Sequence, residues 1–130
     1  MPILVVGFGG EYCFGHRGNP DAVFMKGVVE LGKALFNPFG VVLDLRGLDY
    51  RWGDQISKPI MSADTHWNDS VLVVSDLCRQ ALTSLMHDIG VGPWARLCDD
   101  VDRAVYRARN RIRAARRLDP SDTRGSDGDQ

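Results

Sequence analysis

Three short apolar runs constrain the fold of this chain more than any other feature. Residues 41–45 form a run interrupted only by Asp44, which is the length of one buried strand and too short for a core helix. Residues 3–6 and 71–74 are similar runs, and helix-like patterns follow each of the three. This alternation predicts an α/β fold with a small, mostly parallel or mixed β-sheet, about four helices and a single domain.

Glycines follow the first apolar run at once. Gly7, Gly9 and Gly10 predict that residues 3–6 form a central strand ending in a flexible turn. The segment lacks the spacing of a dinucleotide-binding motif and the Lys of a phosphate loop, so it predicts no nucleotide cofactor.

The first helix is predicted to begin at Asn19 and Pro20, which fit an N-cap and a first helical position. Its expected core stripe is Phe24, Val28, Leu31 and Leu35. A second apolar set flanks that stripe at Met25, Val29 and Phe36. This flank is either covered by the domain itself or is a partner surface.

The remaining elements follow from caps, breakers and helical spacing. Pro59 predicts a short or distorted helix after Asp54, and residues 93–98 are expected to form a short edge strand. Ser75 and Gly90 fit the two ends of a further helix. The core positions expected for that helix are Leu77, Cys78, Ala81, Leu82, Leu85 and Ile89. Those expected for the last helix are Val101, Ala104, Val105, Ala108, Ile112 and Ala115.

Composition places the chain among ordinary globular proteins. Of its 130 residues, 44% are hydrophobic and 25% are charged, so residues 1–117 are expected to form one α/β domain and residues 118–130 a disordered acidic tail. A net charge of −1 and arginines spread around the last helix argue against nucleic-acid binding. No apolar stretch is long enough to span a membrane, and the start lacks a signal-peptide pattern, so we expect a cytoplasmic protein.

The cysteines and histidines do not fit a metal site. The three cysteines, Cys13, Cys78 and Cys98, have no C-x-x-C spacing, which argues against a disulfide framework and against structural zinc. No pair of histidines has the helical i, i+4 spacing of metal ligands. The sequence therefore predicts neither a metal nor another cofactor.

The polar segment after residue 45 is the predicted functional site. In open α/β sheets, ligands and partners dock outside the carboxyl ends of the strands, and Trp and Arg dominate the energetics of protein interfaces. The predicted partner-binding residues are Arg46, Asp49, Arg51, Trp52 and Asp54.

The order of elements resembles the STAS domain, the fold of bacterial anti-sigma-factor antagonists. The run V-V-L-D-L-R-G-L at residues 41–48, with Tyr50, is similar to the family's central strand, and A-R-L-C-D-D-V-D-R-A-V at residues 95–105 is similar to its closing strand and helix start. The resemblance implies a non-catalytic regulatory module. Its partner would be another protein, such as a kinase-type or sensor regulator, and the chain itself would be a monomer or weak dimer.

This sequence departs from the family at the regulatory position. The family's phosphorylated serine would fall near Gly53. Asp54 could supply a permanent charge there, although one carboxylate carries less charge and fewer oxygens than a phosphate. Ser57 is a nearby hydroxyl.

Two enzyme hypotheses stand as the alternative. The turn at residues 50–54 also resembles that of a single crotonase-type repeat, where backbone N–H groups form an oxyanion hole. Separately, Cys13 and His16, with Glu11 or Asp54, could form a nucleophile set. Cys13, His16 and Ser57 are therefore the predicted alternative pocket.

Overall fold

A computed structural model describes residues 2–12, 19–51, 53 and 55–118. Its four strands are β1 (Ile3–Glu11), β2 (Gly40–Asp49), β3 (Val71–Val73) and β4 (Leu97–Cys98). Its five helices are α1 (Asn19–Phe36), α2 (Ser57–Ser62), α3 (Arg79–Asp88), α4 (Pro93–Arg96) and α5 (Val101–Leu118). Of the predicted tail at residues 118–130, Leu118 ends α5, and residues 119–130 lie outside the described residues, as do Cys13, His16, Trp52 and Asp54.

The four described strands form one parallel sheet in the order β1-β2-β3-β4. This confirms the predicted α/β fold. The position and length expected of β1 were wrong, because β1 is an edge strand and continues through Gly7 and Gly9 to Glu11. Glycine does not end the strand here because Gly9 pairs with Gly47 of β2 after an irregularity in the register.

Both faces of the sheet carry a hydrophobic core. On the first face, towards which Leu43 and Leu45 point, α1, α2 and α3 pack against alternate residues of the strands. On the second face, α5 packs against Val42, Val71 and Val73. Alternation along β2 therefore buries neighbouring residues in different cores, which explains the almost continuous apolar run at residues 41–45.

The face of α1 that enters the core differs from the expected one. The structure buries Ala22, Met25 and Val29, the last two of which belong to the flanking set. On this side α1 approaches β1 closely at Gly32, where an added Cβ would lie 2.8 Å from Leu4 Cδ2. Three members of the expected core stripe are instead largely exposed, namely Phe24, Leu31 and Leu35, and so is Phe36 of the flanking set.

The later elements follow the predictions with three exceptions, the first being that α3 begins at Arg79 and not at Ser75. Pro59 lies within α2, a helix of only six residues, and α5 buries Ala104, Ala108 and Ile112 as expected. In α3 the core expectation was wrong for Leu77 and Ile89, which are exposed near its two ends. The segment at residues 93–98 is the short helix α4 followed by the two-residue edge strand β4. Pro at the first helical position explains the helical start, because its missing N–H costs nothing there.

No helix in the described ranges is long and apolar enough to cross a membrane.

Candidate partner-binding cleft

The candidate site lies where β2 ends beside the beginning of α3. Two side-chain contacts hold these segments together. The Ser75 hydroxyl donates to the carbonyl of Arg46 at 2.6 Å, and the Cys78 thiol donates to the carbonyl of Leu45 at 3.3 Å. Ser75 Oγ also accepts the N–H of Leu77, but the predicted helix start at Ser75 was wrong, because residues 76–78 form a turn and α3 begins only at Arg79. The carboxyl end of β2 is thereby fixed against the turn that leads into α3.

A cleft of about 690 Å³ opens between these segments. Its described lining is Asp49, Tyr50, Arg51, Gly53, Asp76, Leu77, Cys78, Gln80, Ala81, Ser84, Leu85 and Asp88. Leu77, Ala81 and Leu85 supply apolar surface from α3 and its leading turn, and Leu77 is 52% exposed. Three aspartates against one arginine give this lining a net charge of −2 at neutral pH. The cleft thus combines an apolar wall with acidic side chains.

The loop after β2 is held in place by an aromatic anchor. Tyr50 is buried and packs edge-on against Tyr12, with ring centroids 5.2 Å apart. Its hydroxyl donates to the carbonyl of Gly53, whose φ of 118° suits only glycine. Asp49 and Arg51, on either side of the anchor, form an exposed ion pair at 3.2 Å. Both charged groups therefore lie at the mouth of a fixed turn.

Arg46 occupies a different surface from Asp49 and Arg51. Its guanidinium forms a bidentate ion pair with the Asp44 carboxylate on the second face of the sheet, with nitrogen–oxygen distances of 2.9 Å and 2.8 Å. This hydrogen-bonded guanidinium holds the pKa of the Asp44 carboxyl below its ordinary value. Around the pair, the shallow depression between β1 and β2 is lined by Gly7, Phe8, Gly9 and Gly47.

The structure thus divides the predicted partner-binding set. Asp49 and Arg51 lie together in the cleft, whereas Arg46 is on the opposite face of the sheet. Trp52 and Asp54 border Gly53 in sequence but lie outside the described residues.

Of the alternative enzyme pocket, only Ser57 can be placed. It begins α2 and does not line the cleft, while Cys13 and His16 fall outside the described ranges. Cys78 does border the cleft, but burial raises the pKa of its thiol, and its proton is donated to the Leu45 carbonyl. The nucleophilic form of cysteine is the thiolate, so this thiol is packed as a structural group. Among the described residues, no group of three or more His, Cys, Asp or Glu is arranged to hold a metal ion.

The second wall of the cleft was missed by the sequence analysis. Asp76, Gln80, Ser84 and Asp88 recur every four residues, which places them along one side of the helical turn and α3. That spacing was the available signal. It was overlooked because Leu77 was predicted to be a core residue. The helix surface next to Leu77 was therefore also expected to be buried.

No protein-family model matches the chain, and no significant match was found among curated proteins or solved structures. The function is therefore inferred from the geometry of the cleft.

Proposed function

We propose that this protein is a non-catalytic regulatory module whose cleft binds a segment of another protein that carries Lys or Arg beside apolar side chains. The observation that carries the proposal is the pairing of exposed Leu77 with the acidic side chains of Asp76 and Asp88 in one cleft. The resemblance to STAS domains implies that the partner is another protein, such as a kinase-type or sensor regulator.

The chemistry of the cleft favours a protein segment. Specific interfaces combine a desolvated apolar centre with a polar rim, and Leu77 with Ala81 and Leu85 could supply such a centre. Asp76 and Asp88 would attract basic side chains and speed the encounter, because charged rims act mainly on association rates. The fixed turn at Tyr50 and Gly53 supports recognition without rearrangement, which lowers the entropic cost of binding.

The proposal can be tested by affinity capture from the native cell with three variant baits. Asp76→Lys with Asp88→Lys reverses the charge of the acidic rim, Leu77→Ala removes apolar surface, and Trp52→Ala with Asp54→Ala alters the predicted residues next to Gly53. We expect one protein to be enriched by the wild type and reduced with each of these baits. Binding of that protein to the wild type should weaken as salt is raised.

The matched control reverses two charges elsewhere. Asp69 and Asp102 are exposed and do not line the cleft, so Asp69→Lys with Asp102→Lys should leave recovery of the partner unchanged. Equal recovery by the cleft variants and this control would contradict the proposal, as would the absence of any protein enriched by the wild-type bait.

A further inference from the structure

Helix α1 has a second apolar surface that the described part of the chain leaves uncovered. Phe24 is 68% exposed, Leu31 is 61% exposed and Leu35 is 67% exposed, and Val28 between them is partly exposed. These four residues, here named the α1 stripe, follow one another at intervals of four, three and four residues. That is the heptad spacing by which two helices pack along a seam.

The spacing of the stripe residues is the same counted from either end of the helix. Phe24 and Val28 are four residues apart, as are Leu31 and Leu35. The pattern is therefore symmetric about a point between residues 29 and 30. If two copies of α1 pack antiparallel, Phe24 of each copy faces Leu35 of the other, and Val28 faces Leu31. A two-fold symmetric interface requires such self-complementarity.

The residues beside the stripe allow close approach without charge repulsion. Gly27 and Ala34 lie along one side of it and are exposed, and a Cβ built at Gly27 would meet no atom within 4 Å. The basic side chains of α1 lie on the far side of the helix from the stripe. There, Lys33 donates to the carbonyls of Ser62 and Asp64. Antiparallel packing also places the positive end of each helix beside the negative end of its partner.

The exposed area is sufficient for a weak dimer. With aromatic and large aliphatic side chains of roughly 200 Å², the stripe and its flanks expose on the order of 500 Å² per copy. Two copies would bury about 1,000 Å², at the lower limit for a specific interface. An exposed apolar patch of this size commonly marks an interaction site.

We propose that the α1 stripe binds the α1 stripe of a second copy of this chain, in an antiparallel and two-fold symmetric dimer. None of its residues lines the cleft near Asp49, so self-association and partner binding use separate surfaces. The dimer would present two clefts to a partner, and a second contact made within one assembly would raise the overall affinity.

The test is sedimentation equilibrium of the full chain and two variants, from about 5 to 500 µM, because an interface of this size gives weak and reversible association. Leu31→Glu puts a charge at the centre of the stripe, and Gly27→Glu puts one at its flank, where the monomer has open space. Both should raise the dissociation constant by roughly 100-fold or more, since an unpaired charge would be buried in the dimer. Far-ultraviolet circular dichroism should show that both variants remain folded.

A control variant and a cross-link make the test specific. Lys26→Glu changes a charge on the side of α1 away from the stripe and should leave the dissociation constant unchanged. In a background with the native cysteines replaced, Val28→Cys with Leu31→Cys should form an intermolecular disulfide, whereas Val28→Cys alone should form far less. A wild-type chain that stays monomeric over the whole range would overturn the proposal, as would self-association that Leu31→Glu and Gly27→Glu leave intact.

Discussion

The guanidinium of Arg96 lies 3.0 Å from a carboxylate oxygen of Asp64 and links two segments that are far apart in the sequence. Arg96 also donates to the carbonyl of Ser70 at 2.7 Å and to its hydroxyl at 2.8 Å. Asp64 in turn accepts the backbone N–H of Ser70 at 2.8 Å. The network joins the end of α4 to the loop before β3 and fixes the beginning of that strand.

Removing the buried guanidinium should destabilise the fold. We expect Arg96→Met to lower the free energy of unfolding by about 3 kcal/mol, because Asp64 and Ser70 lose their charged donor while remaining partly or fully buried. Urea denaturation followed by circular dichroism measures this change. Arg113→Met, on the exposed side of α5, is the control and should change stability by less than about 0.5 kcal/mol. Equal stability of the two variants would show that the network contributes little.

The order of strands and helices could be predicted because it follows from local patterns. The run at residues 41–45 is too short and too apolar for anything but a buried strand, and Gly90, with a φ of 80°, directly follows the C-cap of α3. The predicted start at Ser75 was wrong, because residues 76–78 form a turn before α3. The face of α1 could not be predicted in this way. Apolar residues make up more than half of that helix, and the side that packs includes the close approach of Gly32 to Leu4, a contact between distant segments that spacing along the helix does not reveal.

The candidate site could be predicted in part for the same reason. Asp49 is the last residue of β2 and Arg51 follows shortly after it, so their position at the carboxyl edge of the sheet comes from topology. Arg46 lies only three residues earlier, but the side chains of a strand alternate between its faces, and the Asp44 contact holds Arg46 on the second face. The α3 wall of the cleft was not predicted, because apolar spacing assigned Leu77 to the core, whereas this residue lies in the turn before α3 and is exposed.

The thiols of Cys78 and Cys98 should resist alkylation in the native protein. Both are buried, and burial raises the pKa of each thiol, so little of the reactive thiolate forms at neutral pH. In a Cys13→Ser variant, iodoacetamide at pH 7 should label neither site natively and both in concentrated urea, as counted by intact mass. Fast labelling of Cys78 in the folded protein would contradict this prediction and would indicate an accessible thiolate beside the cleft.

The contact between Asp44 and Arg46 should stabilise the protein at neutral pH and not in strong acid. The hydrogen-bonded guanidinium lowers the pKa of Asp44 below its ordinary value of 3.8. The contribution of this contact to the free energy of unfolding is therefore complete above that value, and it is lost as the pH falls through the lower pKa of the folded state. Because solvent screens the pair, Asp44→Asn should cost only about 0.5 kcal/mol at pH 7.

Urea denaturation at a series of pH values checks this prediction. The stability difference between the wild type and Asp44→Asn should shrink as the pH is lowered below 3.8. Arg46→Gln, which removes the other partner, should show the same trend. A difference that stays constant down to strong acid would mean that the charge of Asp44 contributes nothing.

The arginines of α5 are expected to support the fold more than to bind nucleic acid. Arg107 and Arg111 donate to the carbonyls of Leu97 and Ala95, and Arg116 lies 5.0 Å from the ring centroid of Phe39. These three side chains therefore pack against neighbouring segments, which reduces the charge available to phosphates.

Fluorescence anisotropy with a labelled RNA, at salt concentrations from about 50 to 200 mM, tests this prediction. Each phosphate contact steepens the salt dependence of binding, so the slope reports how many basic side chains contact the RNA. We expect affinity no tighter than the non-specific range of about 10⁻⁴ to 10⁻⁶ M at physiological salt. Arg109→Glu with Arg113→Glu, on the exposed side of α5, should change it little. Submicromolar binding that falls steeply with salt and is lost in this variant would instead establish α5 as a nucleic-acid surface.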